Sequence, residues 1–256
     1  MMERLAVRIL ALAVALSAAA GTAHAAEINA FVSTAIKAAT DEILPPFERA
    51  NGHTIRAFYA PSGALIPRFD RGEPADVFLT DAPAIDGLIK QGKIVGTRID
   101  LARTGIGIAV RKGAPHPDVS TPEALKRALL AAKSVGHASP AGGSITGGHI
   151  MRMFEKLGIA EQVTPKTRLS MGGPNSRVSV LVSSGEAEIG LQQASELLDN
   201  PDVEMIGLLP PELGQMTVYS AGITANAKEL EAAQALIRVL ATPDAALVFK
   251  AKGLGL

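Results

Sequence analysis

Residues 27–81 read EINAFVSTAIKAATDEILPPFERANGHTIRAFYAPSGALIPRFDRGEPADVFLTD. Three short apolar runs, EINAFVS, TIRAFYA and ADVFLTD, are separated by two segments, AIKAATDEILPPFERANG and GALIPRFDRGE, with helical character. Strand-like runs alternating with helical segments predict a parallel sheet built through crossover helices. The same style returns in a second block. There GIGIAVRKG is followed by the helical STPEALKRALLAAK, then by SVGHASP, a glycine run with its helix, and AEIGLQQ. Ser120 or Thr121 caps the STPEALKRALLAAK helix, with Pro122 in its first turn and Glu123 just after it. Residues 224–253 read as two C-terminal helices broken near Thr242-Pro243. This order predicts an α/β protein of two lobes, each a mainly parallel sheet flanked by helices. The first lobe takes residues 26–106 and is completed by 222–256; the second is inserted over 107–221.

Upstream of the first strand, residues 1–25 show Arg4 and Arg8, an apolar stretch from Ile9 to about Ala20, and the small-residue site Ala23-His24-Ala25. That is the pattern of a cleavable secretory signal peptide, so a periplasmic location is expected. The remainder is long enough for two lobes of roughly 100 residues each. Lys plus Arg number 25 and Asp plus Glu number 25, which gives no basic footprint for nucleic acid. There is no cysteine, which excludes disulfides and thiolate metal sites. His53, His116 and His137 show no metal-ligand spacing. No P-loop, dinucleotide fingerprint or serine elbow is present, so neither a metal nor a cofactor is expected. With no Trp and only two Tyr, sugar stacking is disfavoured, while Tyr59 and Tyr219 stay open as ligand contacts.

In open α/β sheets ligands sit beyond the carboxyl ends of the strands. Ser33 and Thr34 follow the first strand, Pro61-Ser62-Gly63 the second, and a glycine run carrying Ser144, Thr146 and Gly147 follows SVGHASP. Each places a hydroxyl or a glycine at a helix start, where exposed N–H groups favour an anion. Each is equally readable as an ordinary cap or loop. Arg177, after the Gly-Gly-Pro turn, is either a fork for a carboxylate or a solvated arginine. Gln192 and Gln193 end the strand-like AEIGL and either bond a ligand or cap the next helix. His149 is the one candidate general base beside the glycine run, and it lacks an evident partner.

The segments GEPADVF with the preceding PSG, FEKLGI and GEAEIGL resemble the periplasmic molybdate-binding type of the type II periplasmic binding protein superfamily. The likeness spans nearly the whole chain after the leader. It implies two hinged lobes, an oxyanion such as molybdate or tungstate held between them, delivery to an ABC permease, and a monomer. Carried over by position, it implies ligand contacts at Ser62, around Thr146 and Gly147, and near Asn175. The first serine of the family falls nearest Ser33 and Thr34, with Ala35 at the aligned place, and the family's tyrosine is replaced by Gln193. The segments GLQQASEL, GLLPPELGQMTVYS and GAPHPDVS resemble a branch that includes the periplasmic aconitate isomerase. That branch implies a carboxylate ligand, and a cofactor-free allylic proton shift becomes the alternative to a plain receptor.

Overall fold

The computed structural model describes residues 25–171 and 177–255. Strand β1 (Glu27–Ser33) passes through a 3-10 turn (Thr34–Ile36) into helix α1 (Lys37–Asn51). The chain continues as β2 (Thr54–Ala60), α2 (Ser62–Asp70), β3 (Val77–Asp81), α3 (Ala82–Lys90) and β4 (Ile94–Thr104). Only Gly105 then separates β4 from β5 (Ile106–Arg111), which already belongs to the other sheet. The second sheet is built from β5, α4 (Pro122–Ala131), β6 (Val135–Ala138), α5 (Ile145–Lys156), the short α6 (Ala160–Val163), β7 (Thr167–Ser170), α7 (Val178–Ser183), β8 (Ile189–Gln193), α8 (Ala194–Leu198) and β9 (Val203–Leu208). The chain returns along β10 (Thr217–Thr224) and ends in α9 (Leu230–Leu240) and α10 (Pro243–Ala251).

The strand orders are β2-β1-β3-β10-β4 and β7-β6-β8-β5-β9. Both sheets are mixed rather than mainly parallel: β10 runs antiparallel to β3 and β4, and β5 runs antiparallel to β8 and β9. The reason lies in the connections, because β4–β5 and β9–β10 carry the chain between the sheets without a crossover helix. The expected boundary near residue 222 falls inside β10, which pairs with the first sheet from Thr217 onward.

Alternation along β1 explains the first core. Ile28, Ala30 and Val32 face a cluster closed by Leu236, Leu240 and Phe249 of the C-terminal helices. Phe31 points to the opposite face, where Leu65, Phe78, Ile85 and Leu88 cover it. β3 is buried along its whole length, as a strand with both faces covered must be. In the second sheet Ile106, Ile108 and Val110 pack with Leu125, Ile150 and Phe154, and Ala109 faces Val178 and Val182. Between the two caps considered for α4, Thr121 is the one used: its hydroxyl accepts from the Ala124 N–H, and Ser120 turns to Asp118 instead. Thr242 caps α10 in the same way, which fixes the break ahead of Pro243.

Candidate functional site

The carboxyl ends of the strands in both sheets face one cavity of about 560 Å³. Ser33 and Thr34 enter it from the end of β1, Ser62 from the start of α2, Ser144 and Thr146 from the start of α5, Arg177 from the N-cap of α7, and Gln193 from the end of β8. The lobes touch around it. The Gly63 N–H donates to the Gly143 carbonyl at 3.1 Å, and the Ser195 hydroxyl donates to the Ala35 carbonyl at 2.7 Å.

On the first-lobe side the hydroxyls are bonded to one another. Ser62 Oγ donates to Ser33 Oγ at 3.1 Å, and the Ser33 hydroxyl stands near enough to the buried Tyr219 phenol to favour its ionised form. Burial, with the negative charges of Glu196 and Asp81, holds the Tyr219 phenol well above its ordinary range, so it remains a neutral donor. On the second-lobe side, Gln193 Nε2 donates to the hydroxyls of Thr146 (3.1 Å) and Thr217 (3.0 Å). Arg177 donates to Asp199 at 2.6 Å across a half-exposed pair, so the guanidinium expected to fork onto a ligand already holds one carboxylate.

Three expected contacts fall elsewhere, for packing reasons. The N–H of Gly63 is taken by Gly143, and that of Gly147 by the Ser144 hydroxyl that caps α5. Gly147 is required by close approach: a Cβ there would lie 1.9 Å from the Ala138 carbonyl oxygen, so the glycine seats α5 on β6 rather than opening its backbone to a guest. Gly143 combines a positive φ of 83° with a Cβ position 2.7 Å from Ala64 N across the lobes. His149 does not enter the cavity; its Nε2–H donates to the Leu213 carbonyl at 2.7 Å, which removes it as the base. Asn175 lies outside the described residues.

Glu196 is the titratable group that sequence reasoning did not single out. It lines the cavity from α8, accepts from Gln192 Nε2 at 2.7 Å, and has the Thr34 side chain of the opposite lobe near enough to favour its charged form. Burial pushes its carboxyl up from 4.5 to about 7, against the two hydrogen bonds and Arg177, which favour the charged form. A carboxyl poised near neutrality is able both to take and to return a proton. The signal available in the sequence was the four-residue spacing of Gln192 and Glu196 across the end of AEIGL. Asp199 and Ser179 also line the cavity and were not singled out. Among the described residues no group of three or more His, Cys, Asp or Glu is placed to hold a metal ion.

The family profile described as bacterial extracellular solute-binding protein matches residues 28–255. An aconitate isomerase from a Pseudomonas species is 36% identical over 220 residues, which is 83% of this chain and 81% of that protein. The molybdate-binding protein ModA of Azotobacter vinelandii is 29% identical over 242 residues, covering 91% of this chain and 92% of that one. Among solved structures, the periplasmic molybdate-binding protein of Azotobacter vinelandii superposes with a TM-score of 0.72 at 18% identity, over 90% of this chain and 99% of that one. That likeness shows the two-lobed fold.

Proposed function

This chain belongs to the bacterial extracellular solute-binding protein family, and on that premise we propose that it holds a small polycarboxylate between its lobes and isomerises it as an aconitate isomerase. The observation that carries the reading is Glu196, a carboxyl set in the cavity wall between Gln192 of its own lobe and Thr34 of the other. Size supports it as well, since a cavity of about 560 Å³ lies in the range that takes small organic ligands.

In the allylic shift, ionised Glu196 removes a proton from the methylene carbon. The C–H electron pair becomes the new double bond, and the former π pair takes a proton at its far carbon. Nothing is oxidised and no group leaves, so the step needs no cofactor. The carboxylate that gathers charge in between is steadied by Arg177 and by the hydroxyls of Ser144 and Thr146. Thr34 of one lobe stands beside Glu196 of the other, so both lobes contribute to the surroundings of the base. The leader over residues 1–25 together with the family membership supports export to the periplasm.

The test is incubation of the purified protein with cis- or trans-aconitate in deuterium oxide, followed by proton NMR. Interconversion with solvent deuterium entering the product supports the isomerase. A second reading, an oxyanion receptor serving an ABC permease, draws on the neutral hydroxyls of Ser33 and Ser62. It predicts a rise in melting temperature with molybdate and tungstate and no turnover of aconitate.

A further inference from the structure

Among the described residues, four buried polar side-chain atoms have no hydrogen-bond partner: Arg177 Nε, Ser179 Oγ, Gln192 Oε1 and Gln193 Oε1. All four residues line the one cavity, and all four come from the second lobe. Buried polar atoms are normally paired, so such a concentration marks places that a bound molecule completes. The chemistry asked for is specific. Arg177 Nε–H needs an acceptor, which any carboxylate provides. Gln192 Oε1 needs a donor, and a fully ionised polycarboxylate has none.

The orientation of Gln192 is fixed by its neighbour. Its Nε2 donates to the Glu196 carboxylate at 2.7 Å, and turning the amide over would set oxygen against oxygen while Glu196 is ionised. Gln192 Oε1 is therefore an acceptor, on a side chain only 9% exposed. Gln193 is 2% exposed, and the two hydroxyls on its amide donate as readily as they accept, so they bond either of its amide atoms.

We propose that the cavity recognises polycarboxylates that also carry a hydroxyl group, the hydroxyl donating to the amide oxygen of Gln192 while Arg177 takes a carboxylate. This rests on the polycarboxylate reading above and extends it to a ligand class that the allylic reaction does not use. A saturated hydroxy acid has no double bond to shift, so it binds without turnover and competes with the isomerisable substrate.

Two ligands isolate the hydroxyl: propane-1,2,3-tricarboxylate and its 2-hydroxy derivative, citrate. They share chain length and carboxylates and differ in one donor. Each is titrated calorimetrically into the purified protein at about pH 8, above the Glu196 pKa of about 7, with trans-aconitate as the reference ligand. Citrate is expected to bind at least about tenfold more tightly than the parent acid, the ratio that about 1.4 kcal/mol gives. Gln192→Leu is expected to bring the two affinities together. Equal affinities in the wild-type protein overturn the inference, as does a gap that survives in the variant. If aconitate binds and both saturated acids fail, the inference falls while the proposed function stands. If none of the three binds, the proposed function falls with it. The wild-type pair decides even where a variant does not fold.

Discussion

The two walls of the cavity differ in how much of their hydrogen-bonding capacity is already used. On the first-lobe wall the buried Ser62 hydroxyl donates to the buried Ser33 hydroxyl, and the buried Tyr219 phenol stands beside them. On the second-lobe wall Arg177, Ser179, Gln192 and Gln193 each keep a buried polar atom with no partner among the described residues. A wall whose groups satisfy one another is stiff before any ligand arrives. A wall with capacity left over is stabilised by whatever fills it. On the proposed function, the first lobe is expected to act as a preformed surface, and the second as the side on which ligand chemistry is discriminated.

The largest expected effect tests the group that joins the walls. Glu196→Gln keeps the size and the contact with Gln192 but removes the base, and isomerisation is expected to fall by about 10²-fold or more. Aconitate binding, read by calorimetry, is expected to persist. If Glu196 is the base, wild-type isomerisation is expected to rise with pH through about 7 as Glu196 ionises. Stability moves the other way: the unfolded chain releases this proton near 4.5, whereas the folded protein keeps it to about 7. Through this group the native state binds more protons between those values, so the Glu196 contribution to stability falls as pH rises through that window and is constant above it. Chemical denaturation across that range is expected to show this fall in the difference between the wild type and Glu196→Gln. A Glu196→Gln protein with undiminished turnover would remove the base from the mechanism.

Next in size is Gly147→Ala, which tests how the second wall is positioned. A methyl group 1.9 Å from the Ala138 carbonyl oxygen forces α5 off β6, and with it Ser144 and Thr146. A loss of about 3 kcal/mol in urea denaturation is expected. Gly148, the neighbour in the same glycine run, has only the flexible end of Arg152 near its Cβ position, at 3.5 Å, so Gly148→Ala serves as the control.

That contrast within one glycine run also shows where sequence reading stops. The strand and helix alternation, the Thr121 and Thr242 caps, and the hydroxyls at strand ends are local patterns, and they were legible because local chemistry decides them. Ser33, Thr34, Ser62, Ser144, Thr146, Arg177 and Gln193 come together in one cavity for the same reason: each follows a strand or opens a helix. The purpose of the glycines was not legible, because Gly147 answers to a carbonyl on another strand and Gly143 to Ala64 in the other lobe. Glu196 escaped for a similar reason. Its proton affinity is set by burial and by Thr34, more than 150 residues away in the chain. His149 misled through proximity: it sits in the glycine segment, but on a helix face turned toward Leu213.

The smallest expected effects separate the walls most cleanly, because two similar substitutions are expected to act in different ways. Ser33→Ala removes the acceptor of the Ser62 hydroxyl and leaves that buried group short of a partner. It is expected to cost the free protein about 1 kcal/mol. Ser179→Ala removes a hydroxyl that has no partner to lose, so the free protein is expected to keep or slightly raise its melting temperature. With saturating aconitate the positions should exchange character. Ser179→Ala then shows a smaller ligand-induced rise than the wild type, because a contact supplied by the ligand is missing, and Ser33→Ala keeps most of its rise from a lower baseline. Thermal unfolding of both variants with and without aconitate measures this. If Ser179→Ala destabilises the free protein as much as Ser33→Ala does, the second wall is as self-satisfied as the first, and ligand discrimination cannot be assigned to one lobe.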